Sequence, residues 1–221
     1  MQVEWYGQSA FRLTEGKDTI FIDPFDTAAF AAHDLRWDYP AITGIDAQLL
    51  LVTHEHRDHN AVDVIGGDPV ILRSTAGTHQ SPIGEVIGIA SEHDEVAGTQ
   101  RGPNTIFAFT VGGHRIAHLG DFGQAALRPE QLAALGTIDL LFVPVGGGPT
   151  IGAEQATEIA GQLGAQIIVP MHYRTERIDL LEPLGDFTAR AMRVERLERS
   201  AFDVEAITAD GQGVVVVPAA P

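Results

Sequence analysis

The stretch Thr53-His54-Glu55-His56-Arg57-Asp58-His59 gathers three of the chain's 9 histidines within six positions. Imidazoles and carboxylates crowded together are the chemistry of a metal site, and with no cysteine present any metal must be held by His, Asp or Glu. The spacing has a geometric meaning. Residues two apart where a strand ends and bends can both turn inward, so His54 and His56 could share one cation. Asp58 and His59, at the first turn of a following helix, could face a second. Two cations need more ligands than these, preferably a carboxylate between them, and an open position for water. Polar residues also stand where other apolar runs stop: Asp23 after TIFI, Asp121 after RIAHLG and His172 after QIIVPM.

His-x-His-x-Asp-His behind a hydrophobic strand and a threonine resembles the signature of the metallo-β-lactamase superfamily, and the family's other motifs follow in order. FIDP resembles the first motif and gives Asp23; SEHDEVAG offers His93; AHLGDFG resembles the Gly-Asp motif and gives Asp121; VPMHY gives His172. The resemblance covers roughly residues 3–175. It implies one site of His54, His56 and His93, a second of Asp58, His59 and His172, Asp121 shared between them, and Asp23 orienting the ligands. The implied cofactor is a pair of divalent ions, zinc first, with manganese or iron compatible with an all-His/Asp donor set. The implied fold is α/β, a four-layer αββα sandwich with mixed sheets. The implied activity is hydrolysis, with Asp58 orienting an activated water and Asp121 bridging.

Wording such as RGPNTIFAF and VPVGGGPTIGAEQA lies nearer one branch, the compact metal-dependent hydrolases related to ascorbate-phosphate lactonases and phospholipase-D-like phosphodiesterases. His56 stands where oxygen-reducing diiron relatives carry Glu, and no attached flavin domain is present. Nor is there room between Asp121 and His172 for the extra domain of the nucleic-acid-cleaving branch. The resemblance therefore implies a small cytoplasmic substrate, a phosphodiester first and a lactone or other carboxylic ester or amide as the alternative. A metal-binding protein without catalysis is the third reading.

Other residues carry two readings each. Arg101, Asn104 and Thr150 are candidates for substrate binding, although RGPN is also an ordinary turn. His79 is the reserve for His93. His118 could orient a metal ligand or donate a proton, or it is simply a satisfied core or surface histidine. GGGPT at 146–150 is either an anion-cradling loop before a helix or a close approach of backbone to the metal site.

The elements that must position these groups follow from periodicity. VEWYG, AFRLT and TIFID read as strands with a turn at Glu15–Asp18, and AQLLLVT as a buried strand. The loop from Phe25 to Asp46 could be a lid. NAVDVIGG reads as a short helix, PVILRS, EVIGIA, NTIFAFTV and HRIAHLG as strands, the last two joined at Gly112-Gly113. PEQLAAL and AEQATEIAGQL then alternate as helices with strands IDLLFVPV and AQIIVPMH, before a helix in GDFTARAMRV and two terminal strands. No linker or repeat divides the 221 residues, so a single domain over 1–221 is expected.

Composition bounds the partners. Fourteen basic residues against 30 acidic ones give a net charge of −16, which repels polyanions and disfavours nucleic acid. Apolar runs such as LLLV and VVVVP are strand-sized and too short to span a bilayer. The opening MQVEWYGQSAF has no basic leader with an apolar run, so a cytoplasmic protein acting on a small molecule is expected. The family's habit of assembling adds a homo-oligomer to those expectations.

Overall fold

The computed structural model describes residues 1–30, 36–209, 211 and 213–221. Three strands open it: β1 (Gln2–Gly7), β2 (Ala10–Glu15) and β3 (Asp18–Ile22), with the second turn closing at the Glu15–Asp18 pair. Then come β4 (Ile45–Asp46), β5 (Leu49–Val52), β6 (Ile65–Gly66), β7 (Val70–Arg73), β8 (Gly77–Ser81), β9 (Gly84–Glu92), β10 (Pro103–Val111) and β11 (His114–His118). The helix-strand part runs α1 (Pro129–Leu135), β12 (Leu140–Pro144), α2 (Ala153–Gln162), β13 (Ile167–Met171) and α3 (Gly185–Thr188). Strands β14 (Val194–Arg196), β15 (Ala201–Asp203) and β16 (Val214–Val217) close the chain.

Two mixed sheets result. One has six strands in the order β15-β1-β2-β3-β5-β7; the other has eight, β14-β16-β13-β12-β11-β10-β9-β8. Their facing sides pack as period-two alternation requires: Val3, Trp5, Phe11, Leu13, Leu49 and Leu51 meet Phe107, Phe109 and Phe142 in one core. Phe11 and Phe142 touch across the gap with ring centroids 4.4 Å apart. The four residues of β5 are all buried because its other face is covered too, Leu50 packing with Phe21, Phe25, Tyr39 and Ile178 in a second cluster. Helix α2 buries Ala156, Ile159 and Ala160, with Leu163 following at its end, and stops before Gly164 at φ +60°.

The α/β sandwich with mixed sheets is as expected, and the differences are local. NAVDVIGG forms one 3-10 turn, Val62–Val64, and then β6, because Ile65 pairs with Ile45 of β4. The layer outside the six-stranded sheet is thus made of loops and 3-10 turns, with no α-helix there among the described residues. GDFTARAMRV keeps a single helical turn, α3, since Val194–Arg196 pair with β16 instead. Strand β8 was not expected: GTHQS is polar and lies at a sheet edge, where apolar alternation is not needed. Of the segment read as a lid, residues 31–35 lie outside the described residues.

The consequence for the site is topological. Strands β3 and β5, and β11, β12 and β13, run parallel, so their carboxyl ends open at one rim of the sandwich.

Candidate metal centre

Asp23 follows β3, His54 lies two residues past β5, Asp121 lies three past β11 and His172 follows β13. His93 comes directly after β9. Turning from strand to site at these points strains the backbone, and both Asp23 and His172 adopt left-handed φ values of +51° and +52°. The segment carrying Asp58 and His59 is a turn, not the first turn of a helix as expected, closed by His59 N–H donating to the His56 carbonyl at 3.0 Å.

Two groups of donors form. His54, His56 and His93 offer nitrogens within 4.8 Å of one another, and so do the donors of Asp58, His59, Asp121 and His172. Asp121 lies between the groups. Its Oδ2 is 3.0 Å from His93 Nε2, 3.2 Å from His172 Nε2 and 3.9 Å from His54 Nε2, while Oδ1 is 3.4 Å from His59 Nε2.

Hydrogen bonds on the far side of three rings, those of His54, His59 and His93, fix their tautomers, while His172 Nδ1 is buried without a partner. Asp23 is fully buried and accepts from Thr53 N–H at 2.8 Å, from the Thr53 hydroxyl at 2.7 Å and from His59 Nδ1–H at 2.9 Å. With its proton given to Asp23, the Thr53 oxygen is left to accept from His54 Nδ1 at 3.1 Å. His93 Nδ1–H donates to the Pro149 carbonyl at 2.9 Å. In each case the proton sits on Nδ1, so the Nε2 lone pair faces inward. Lone pairs of His59 and His93 therefore point at carboxylate oxygens of Asp121, and buried His59 Nε2 has no hydrogen-bond partner. A cation between such acceptors resolves the conflict, so the residues present fit a metal.

Electrostatics agrees. Burial and the neighbouring His59 push His54 down to about 2, and burial also lowers His56 and His172, keeping these rings neutral and ready to ligate. Burial works against charge on His59 as well, but Asp121, Asp58 and Asp23 outweigh it and hold its pKa well above 6.5. Burial disfavours an ionised Asp121, yet His172 and His59 beside it keep it well below the usual carboxylate range.

A cleft of about 410 Å³ opens over the cluster, bounded by His56, Asp58, His93, Asp121 and His172 and by an apolar wall including Phe30, Trp37, Ile178 and Leu181. A second cavity, about 320 Å³ between α2, α3 and the chain's end, lies away from these groups.

Residues 2–172 match the family described as the Beta-lactamase superfamily domain. The chain belongs to the metallo-β-lactamase superfamily. It is 30% identical over 202 residues to a UPF0173 metal-dependent hydrolase of Geobacillus thermodenitrificans, covering 79% of this chain and 86% of that one. A Thermotoga maritima structure named for a Zn-dependent hydrolase of the metallo-beta-lactamase superfamily superposes with a TM-score of 0.79 at 29% identity, over 98% of this chain and 97% of that one. The isothiocyanate hydrolase from Delia radicum gut bacteria, at 17% identity and TM-score 0.68 over 99% and 96%, shares the fold.

Within this metallo-β-lactamase cleft the expected substrate-binding residues separate. Arg101 lines it, and its guanidinium has no partner among the described residues. Asn104 does not reach it: the side chain is buried, donating to Ser91 Oγ at 2.7 Å and the Leu119 carbonyl at 2.8 Å and accepting from Asp121 N–H at 3.1 Å. It steadies the backbone of Asp121. Thr150 is also buried and turns its hydroxyl to the Gly147 and Ile151 carbonyls of its own loop. His118 is a satisfied core histidine, its Nε2–H donating to the Ser9 carbonyl at 3.0 Å and its Nδ1 accepting from Gly120 N–H at 3.2 Å. His79 sits on β8, outside both donor groups. GGGPT proves a close approach: a Cβ on Gly146 would overlap the His172 carbonyl.

Several residues in or beside the cleft had no signal in the sequence. Gln8 and Ser9 sit in the β1–β2 turn, Ser9 Oγ donating to Asp121 Oδ1 at 3.4 Å. Phe30 and Trp37 stack at 4.0 Å. Such residues read as ordinary turn or core positions until the loops are placed.

Proposed function

We propose that the chain is a metal-dependent hydrolase that holds two divalent ions, zinc first, and cleaves a small anionic substrate of the phosphodiester class. The observation that carries this reading is Asp121, one carboxylate reaching both donor groups. A pair of ions bound there supplies Lewis acidity and lowers the pKa of water. The chain's own residues do the rest. Asp58, its side chain 22% exposed at the cleft, is placed to hold a water by its proton and aim the oxygen. Asp23 keeps His59 and, through Thr53, His54 in the ligating tautomer. The wall of Phe30, Trp37 and Leu181 excludes bulk water and accommodates an apolar part of the substrate.

Arg101 favours the phosphodiester over a neutral lactone, because an unpaired guanidinium at the rim stabilises a substrate that arrives with a negative charge. The curated relative named a metal-dependent hydrolase supports the reaction class. Turnover of bis-p-nitrophenyl phosphate should exceed that of simple lactones, vanish on chelation and return with zinc. Faster lactone turnover would reassign the enzyme as a carboxylic ester hydrolase. Metal bound at the expected content with no turnover of any substrate would leave a binding protein.

A further inference from the structure

Gln8 lines the cleft together with Asp121 and His172, yet its carboxamide is idle. The residue is 1% exposed, its Oε1 is buried without a hydrogen-bond partner, and its amide nitrogen has none among the described residues. Buried polar groups are ordinarily paired, and one left unpaired destabilises the fold. The backbone adds a second cost, with Gln8 at φ +48°. This conformation is imposed from several sides. Its carbonyl accepts from Trp5 Nε1–H at 2.9 Å and from His172 N–H at 3.4 Å, and the β1–β2 register shifts between Trp5 and Gly7 immediately before it. The next residue, Ser9, donates to Asp121.

The fold thus holds a strained, unpaired amide beside the two residues nearest the proposed chemistry. Ser9, Thr53, Asn104 and His118 are satisfied by the protein, whereas Trp37 Nε1 and His172 Nδ1, on residues that line the same cleft, are buried without partners as Gln8 Oε1 is. No protein group hydrogen-bonds the Gln8 carboxamide among the described residues, and the cleft it lines is open to a ligand that can. The orphaned Oε1 is an acceptor, but the carboxamide's oxygen and nitrogen exchange places by a half-turn about its last bond; with the nitrogen toward the cleft, its two N–H donors suit an oxygen on the reacting carbon or phosphorus, whose negative charge grows as the bond is attacked.

The geometry points to Gln8 as a substrate-contacting residue that donates a hydrogen bond to the carbonyl or phosphoryl oxygen at the reacting centre. This rests on the hydrolase reading and adds to it the residue that positions the group under attack. An isostere without hydrogen-bonding groups separates this role from a structural one. Gln8→Met should retain wild-type metal content and melt about 2–4 °C higher, since an unpaired buried amide is removed. Its kcat/KM should nevertheless fall about tenfold or more, with the loss in kcat if the bond strengthens in the transition state. Diethyl phosphate, as a non-reacting probe, should bind the variant more weakly. A Gln8→Met protein that melts below wild type, or that keeps wild-type kcat/KM, overturns the assignment. If that variant misfolds, Gln8→Glu keeps the shape without the N–H donors and should show the same kcat/KM loss; unchanged kcat/KM there overturns it too. A wild type inert toward every substrate would sink the hydrolase reading instead, and is distinguished by the melting and diethyl phosphate comparisons.

Discussion

Asp121 meets imidazoles from four places in the chain, His54, His59, His93 and His172, so its loss should undo both donor groups at once. Asp121→Ala is expected to fold, since the change removes a buried charge along with its partners' attraction, but to lose bound metal and turnover. Elemental analysis beside circular dichroism checks this, and full turnover in the variant would refute the site. Asp23 acts one step further out. Asp23→Asn keeps a similar shape but weakens the hold on His59 and Thr53, and should reduce metal affinity or activity by about 10- to 100-fold. A competition titration with a chelator of known affinity would measure it. These donors were legible in the sequence because each stands beside a strand end or within one tight motif, where residue type and spacing carry the chemistry. Asn104 and Thr150 were misplaced because a turn sequence does not reveal which way its side chains face.

The elements hold those residues through close backbone contacts. Gly146 follows β12 and leaves no room beside the His172 carbonyl, so Gly146→Ala should displace the strand end that bears His172. The expected result is a lower melting temperature with disproportionate loss of metal, and an unaffected metal content would show that the contact is dispensable. The histidine-bearing turn is tied to β7 by Glu55, which receives the Arg73 guanidinium at 2.8 and 2.9 Å and the Ser74 hydroxyl at 2.8 Å. The Arg73 bond chiefly, with Ser74, holds Glu55 down to about 2 from its ordinary 4.5. A depressed carboxyl stabilises the fold above its unfolded pKa, and that contribution disappears as pH falls through the folded value. Since the pair is about half exposed, its worth is about 0.5 kcal/mol. Denaturant melts of wild type and Glu55→Gln should therefore differ slightly at pH 6 and converge towards pH 2–3; a gap that widens in acid would contradict the pairing. The hairpins and crossovers were readable from alternation and turn residues, whereas β8 and the single-turn α3 were not, since edge pairing and pairing with β16 overrode weak local preference.

At the scale of the molecule, the centre joins the two sheets. Asp23 and the histidine-bearing turn come from the six-stranded sheet, while His93, Asp121 and His172 come from the eight-stranded one. Cations bound between them should stabilise the folded state by mass action. Chelation is expected to lower the melting temperature by several degrees and added zinc to restore it, readable by scanning calorimetry; identical curves would argue against metal binding in the native protein. The net charge of −16 acts in the same direction, because bound cations offset part of the self-repulsion.

What the sequence by itself determined was which histidines and aspartates stand together at strand ends, because a strand's apolar alternation stops where a polar side chain must turn into a site. The tertiary structure alone decided which polar groups are spent inside the protein and which remain unpaired in the cleft. Asn104, Thr150 and His118 find partners within their own strands and loops, whereas Gln8, far from the histidine motif in sequence, is left with none. Hydrogen-bond satisfaction depends on packing between distant segments, and no local pattern of residues encodes it.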